Sequence, residues 1–177
     1  MKNSGRHLHI ISFDIPYPAN YGGVIDVFFK LRALVSAGVK VHLHAFQYGR
    51  QSSRILEELC ESVHYYQRDV SKSQLFLKEP YIVVSRSSEQ LIKNLLSDEH
   101  PILFEGLHST HFLNDERLKQ RRKIVRTHNI EHEYYKNLAK AESNIFKRYY
   151  FYNESNKLEI YENILSNADV IAAISPN

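Results

Sequence analysis

Two stretches of the chain combine residue types that could do chemistry: the pair Gly22-Gly23 and the polar run Arg126-Thr127-His128-Asn129-Ile130-Glu131-His132. Unpaired backbone N–H groups at a helix start attract an anion, and glycine there lets a phosphate come close. The plainer alternative for the pair is a turn that needs positive φ. The loop IPYPANYGG is too long and proline-rich for a G-x-G-x-x-G dinucleotide fingerprint, and no G-x-x-x-x-G-K-[ST] segment exists. The pair therefore points to phosphate, and not to NAD.

The second stretch contains His128-x-x-Glu131-His132, which matches the H-x-x-E-H pattern of zinc peptidases. That chemistry needs both histidines on one helix, four residues apart, so that both reach one metal. His128 directly follows KIVRT, so it is expected on a strand-to-helix turn, and no third acidic ligand lies at a suggestive distance. A histidine on such a turn, flanked by Arg126 and Asn129, suits contact with a sugar or phosphate better. Glu105, with Gly106 and His108, follows the apolar run PILFE; it could accept sugar hydroxyls or cap the next helix. Asp14 carries the same ambiguity.

Other chemistry-bearing residues have ordinary explanations beside the functional ones. His7 and His9 alternate on one segment, and His42 and His44 on another, so each pair shares a strand face. Four such histidines could gather a metal, but packed, hydrogen-bonded imidazoles are the expected outcome. The run Arg117, Lys119, Arg121, Arg122, Lys123 is expected to be a solvated face, with attraction to anionic lipid headgroups as its functional alternative. Arg148-Tyr149-Tyr150-Phe151-Tyr152 could seat an acyl chain or a partner domain; packing of a helix face is the default.

These residues need elements to position them. His7–Asp14 reads as a strand closed by Pro16 and Pro18. Val24, Val27, Phe28, Leu31, Leu34 and Val35 recur at helical spacing, with Gly38 placed as terminator before the strand Val39–Phe46. Strand, glycine loop, helix and strand within forty residues make a βαβ unit. The alternation continues through helix Ser52–Glu61, strand Val63–Gln67, helix Ser87–Leu96, and strands Pro101–Glu105 and Lys123–Thr127. Helices Glu131–Glu142 and Ile145–Leu165 and a strand Asp169–Ser175 complete it, while Arg68–Val84 could be helix, strand or loop. About six strands alternating with helices predict a Rossmann-like, doubly wound parallel sheet in a three-layer α/β/α fold, one domain over residues 1–177.

Composition narrows the class further. With 43% hydrophobic and 24% charged residues over 177 positions, the chain is globular and long enough for a genuine core. Lys and Arg exceed Asp and Glu by only 23 to 20, a net +3, which argues against a nucleic-acid wrapper. One cysteine, Cys60, forms no internal disulfide. No window suits a membrane span or a cleaved leader, so the expectation is a soluble cytoplasmic protein. Ser175-Pro176-Asn177 looks like the start of a connection onward, which makes the front half of something larger the preferred expectation.

Four segments in order, PYPANYGGVIDVFFKLRALVSAGVKVHLHAF, PILFEGLHSTHFL, IVRTHNIEHEYY and ADVIAAISPN, make the chain resemble the N-terminal domain of a GT-B-fold, family 4-like bacterial glycosyltransferase. The resemblance implies an acceptor-side domain whose partner, a C-terminal domain absent from this chain, holds the nucleotide-sugar donor. It further implies transfer to a glycan or lipid-linked acceptor in cell-surface polysaccharide synthesis, retaining in outcome and with no metal or other cofactor. Peripheral contact with the inner face of the cytoplasmic membrane would be compatible with it. In that family the glycine-rich loop falls on Gly22 and Gly23, the histidine near the reacting sugar on His128, and a polar cleft residue on Glu105. Arg126 and Asn129 would give polar support. The competing expectations are a stand-alone, non-catalytic binding module for a phosphorylated sugar or protein, and the zinc hydrolase built on His128, Glu131 and His132.

Overall fold

A computed structural model describes residues 5–173. Six strands form one all-parallel sheet: β1 (Arg6–Ser12), β2 (Val39–Gln47), β3 (Ser62–Gln67), β4 (Ile102–Glu105), β5 (Lys123–Thr127) and β6 (Val170–Ala173). Their order across the sheet is β3-β2-β1-β4-β5-β6. The predicted Rossmann-like α/β fold is therefore the observed one. The direction of winding reverses between β1 and β4, which makes the carboxyl ends of those two strands the expected ligand edge.

The helices are α1 (Gly22–Ser36), α2 (Arg54–Leu59), α3 (Tyr81–Val84), α4 (Glu89–Leu95), α5 (Glu131–Ala141) and α6 (Ile145–Tyr161). Strand alternation sends Ile10, Val41, Leu43 and Ala45 to one face, where they pack on Val27 and Leu31 of α1 and Leu56 of α2. Ile11, Phe46, Ile102 and Phe104 go to the other, against Leu91, Ile92 and Leu95 of α4. Each of these fully buried Val, Leu, Ile and Phe side chains contributes about 1.5–3 kcal/mol. The long C-terminal helix ends at Tyr161 and continues as a 3₁₀ turn over Glu162–Asn167. The segment left open in sequence holds a 3₁₀ turn, Lys72–Phe76, and the short α3. Of the expected final strand, Ile174 and Ser175 lie outside the described residues.

The inner pair of alternating histidines forms a closed chain of hydrogen bonds beneath α4, as expected from packing. Tyr66 Oη accepts from Asn94 Nδ2 at 2.8 Å, so its own hydrogen goes to His44 Nδ1 at 2.7 Å. His44 Nε2–H then donates to His9 Nδ1 at 2.8 Å, and His9 Nε2–H to the Asp98 carboxylate at 3.0 Å. Every proton in this chain has a place only when both imidazoles are neutral.

The basic run before β5 departs from expectation. Arg121 is buried and caps the end of α4, donating to the carbonyls of Leu95, Asp98 and His100. Lys123 is buried and donates to Leu113 O at 2.9 Å, and Arg117 is held by Asp115. Backbone carbonyls at the ends of helical segments drew Arg121 and Lys123 inward while Arg117 stays half exposed on a carboxylate, so this run is not the continuous solvated face its composition suggested.

Candidate functional site at the carboxyl edge of the sheet

Five charged or ionisable side chains meet where β1, β4 and β5 end. Glu105, the last residue of β4, is fully buried, and its Oε1 accepts from Lys30 Nζ of α1 at 2.6 Å. Lys30 also reaches Asp26 Oδ2, one helical turn earlier, at 3.1 Å. Asp26 Oδ1 in turn accepts from Arg126 Nη2 of β5 at 2.9 Å. His128, just past β5, lies with Nε2 3.3 Å from Glu105 Oε2 and Nδ1 3.9 Å from Asp26 Oδ2. Neither Glu105 Oε2 nor His128 Nε2 is aligned for a hydrogen bond, and both are buried. The imidazole thus sits between two carboxylates with a nitrogen uncommitted on either side. Burial alone would raise the Asp26 pKa, but the hydrogen bond and charge of Lys30, with Arg126 and His128, hold it below the usual carboxylate range.

Backbone close approach shapes this notch. Gly106 follows Glu105 with φ +71°, and a Cβ there would come within 3.2 Å of His108 Nδ1 and 3.5 Å of His128 Cδ2. Phe13, past the end of β1, packs its ring against those of His108 and His128, with centroids 5.3 and 6.0 Å away. A Cβ on Gly23 would lie 2.7 Å from the tip of Phe13. Neither Gly22 nor Gly23 has positive φ, so the turn explanation for the pair fails. Gly23 is instead required by the closeness of Phe13, while Gly22 is exposed with open space around it. The two open α1 behind Tyr21, which supplies no side-chain cap, so the first amides of the helix keep their donors free.

A second layer lies beside the notch. Arg86 is buried and donates Nε–H to Phe13 O at 2.8 Å, fixing the backbone past β1; burial lowers its pKa to about 9, which leaves it charged at neutral pH. Burial, with the Arg86 and Arg68 charges, holds His108 well below the ordinary histidine value. Glu131, the first residue of α5, has Oε1 3.9 Å from His108 Nδ1. Burial pushes its carboxyl up to about 7, with Glu162 adding and His128 and Arg86 opposing. It can hold or release a proton near neutrality.

Of the residues singled out in sequence, Glu105, Arg126 and His128 converge, with Gly22 and Gly23 at the adjoining helix start. Asn129 is exposed on the same turn, outside the hydrogen bonds that tie the notch. Asp14 neither caps a helix nor faces the notch: it accepts from Ile15 N and Tyr21 Oη and pins the loop before α1. The H-x-x-E-H reading fails on geometry. His128 precedes α5, and His132 Nδ1 pairs with Glu162 Oε2 at 2.8 Å, joining α5 to the turn after α6. Asp26, Lys30 and Arg86 went unnoticed in sequence. An i, i+4 Asp-Lys pair looks like any solvated helix face, and nothing marks Arg86 among its neighbours. Asp26, Glu105 and His128 have ligand atoms within 4.8 Å of one another, but Lys30 and Arg126 already neutralise both carboxylates, which disfavours a cation there.

Fold and site together define a Rossmann-like domain with a polar, histidine-bearing notch at its strand-order switch. No protein-family model matches the chain. A curated protein of Klebsiella pneumoniae, described as an uncharacterized 44.6 kDa protein in cps region, is 35% identical over 151 residues. The match covers 81% of this chain and 39% of that protein, so the chain spans well under half the length of this relative. No helix among the described residues is long and apolar enough to cross a membrane.

Proposed function

We propose that this chain is the acceptor-side domain of a glycosyltransferase that moves a sugar from a nucleotide-sugar donor to a glycan or lipid-linked acceptor in cell-surface polysaccharide synthesis. The observation that carries the reading is His128, held between Glu105 and Asp26 beside the uncapped glycine start of α1. A relative in a cps, or capsule, region and of more than twice this chain's length supports the biological setting and leaves room for a donor-binding domain.

In this reading the notch positions rather than attacks. Lys30 and Arg126 Nη2 are committed to Glu105 and Asp26, so the free amides of α1, with the unpaired Arg126 Nε–H, are donors left for a phosphate or an acceptor hydroxyl. His128 hydrogen-bonds the transferring sugar or the acceptor hydroxyl, and the buried Glu105 and Phe13 fix its ring. Stabilisation of the departing diphosphate falls to helix N-termini and to the donor-binding partner domain. The chemistry requires no metal.

Peripheral contact with anionic lipid, if it accompanies a lipid-linked acceptor, belongs in this reading to α5 and α6. There Lys136, Lys140 and Arg148 surround exposed Ile145, Tyr149 and Tyr152 in an apolar groove of about 450 Å³.

The test is turnover. The product of the full reading frame, incubated with a panel of nucleoside-diphosphate sugars, is expected to release nucleoside diphosphate from at least one of them. Binding of a donor without any turnover, with or without added glycan acceptors, would favour a non-catalytic module instead.

A further inference from the structure

The edge of the sheet opposite the notch carries a second cluster. His7 enters from β1, His42 from β2, and His100 from the loop between α4 and β4. All three are half-buried, and each offers a ring nitrogen within 4.8 Å of the other two. The rings of His7 and His100 stack with centroids 4.4 Å apart. His7 Nδ1 and His42 Nε2 are 2.8 Å apart.

This outer row differs from the inner one in a way that points to a ligand. His9 and His44 are closed at both ends by Asp98 and Tyr66. In the outer row a single hydrogen bond joins the imidazoles to one another, between His7 and His42: among the described residues His100 makes none through its ring and His7 none through Nε2. Its parts are nonetheless fixed. His42 Nδ1 has Ser62 Oγ at 2.9 Å, an outer-shell bond that leaves Nε2 for another partner. His100 has its N–H on Asp98 Oδ1 at 2.9 Å and its carbonyl under Arg121 Nε at 2.6 Å, so the backbone carrying the third imidazole is tied down.

We propose that His7, His42 and His100 form a binding site for a borderline-soft divalent transition metal, of which Zn²⁺ is the type. Neutral imidazoles are the ligands such ions prefer over hard cations. Tetrahedral Zn–N bonds of 2.0–2.1 Å place ligand nitrogens about 3.3 Å apart, so the His7 and His42 nitrogens need part only slightly, while the stacked His7 and His100 rings must turn from their near-parallel planes to aim at one ion. His42 binds through Nε2 and His7 through Nδ1, with the His7 proton carried on Nε2. A fourth position stays open to solvent. Bound metal would clasp β2, β1 and the start of β4 together at the end of the domain remote from the notch.

The experiment uses untagged protein stripped with a chelator, then titrated with Co²⁺ by visible absorption and with Zn²⁺ against a chromophoric chelator. One equivalent is expected to bind with Kd at or below about 10 µM and a tetrahedral Co²⁺ spectrum. His100→Ala, which removes no hydrogen bond of the ring, is expected to fold and to weaken binding at least about tenfold; Ser62→Ala should also weaken it, within the roughly 10–100-fold usual for outer-shell partners. His128→Ala is expected to bind as the parent does. No competition at about 100 µM metal, full affinity in folded His100→Ala, or loss of binding in His128→Ala would each overturn the proposal.

Discussion

Replacing Glu105 by alanine is expected to lower the free energy of unfolding by about 3 kcal/mol, the lower end of what removing one partner of a buried ion pair costs. The carboxylate has no exposure, and Lys30 Nζ sits 2.6 Å from it with a side chain only 18% exposed. Without Glu105 that ammonium keeps Asp26 at 3.1 Å, which is why the loss falls at the low end. Glu105→Gln retains an acceptor for Lys30 and should lose less. Combining Glu105→Leu with Lys30→Met should recover much of the loss, because two apolar side chains leave no unpaired charge behind. Urea unfolding with unchanged m-value measures all of these. A Glu105→Ala midpoint equivalent to a change under about 0.5 kcal/mol would mean the pair is not holding the notch.

Acidification is expected to remove a comparable amount of stability. Burial, against the opposing charge and hydrogen bond of Asp98, lowers the His9 pKa from 6.5 to about 4, with His42 and Arg121 adding to the fall. His44 is likewise held well below the ordinary histidine value by burial, then by His9, His64, His42 and Arg121. Both are neutral when folded but charge freely when unfolded. Their contribution is therefore complete above the unfolded value of 6.5 and drains away as pH falls toward 4. For His9 alone that is about 3 kcal/mol. Glu131, raised to about 7, works in the opposite direction, since it gains stability as it protonates. It is one group against six histidines with lowered values, His9, His42, His44, His64, His108 and His111, so the net slope is a loss. Equilibrium unfolding at pH 7 and pH 4.5 reads the difference, and His9→Gln should flatten it. Stability that stayed level or rose on acidification would contradict the neutral hydrogen-bonded chain from Asn94 to Asp98.

The strands were legible because a parallel sheet is buried on both faces and its strands stand out as short apolar runs. PILFE and KIVRT gave β4 and β5 to within a residue. The α1 stripe was equally plain, since Val24, Val27, Phe28 and Leu31 are the residues it buries. Arg68–Val84 was not legible because tertiary contacts set it: Asp69 N donates to Ser85 O, and Arg68 Nε to Ser85 Oγ. The notch was half legible. Glu105, Arg126 and His128 end recognisable strands, where ligand groups are expected. Asp26 and Lys30 join them only through contacts 100 and 75 residues away along the chain, to Arg126 and Glu105. No local pattern announces such contacts. Arg121 shows the converse, a cation that composition assigns to water and that three backbone carbonyls draw inward.

The most direct test of the account compares two histidines four positions apart, each replaced by alanine in the product of the full reading frame. Sugar transfer, or release of nucleoside diphosphate where the acceptor is unknown, is the readout. His128→Ala removes the imidazole between Glu105 and Asp26, and is expected to lower kcat about 100-fold or more. His132→Ala removes only the pair with Glu162 that joins α5 to the turn after α6; it should cost about 1 kcal/mol of stability and leave kcat within a few-fold of the parent. Equal losses from the two substitutions, or a larger loss from His132→Ala, would contradict the placing of the chemistry at the carboxyl edge of β1, β4 and β5.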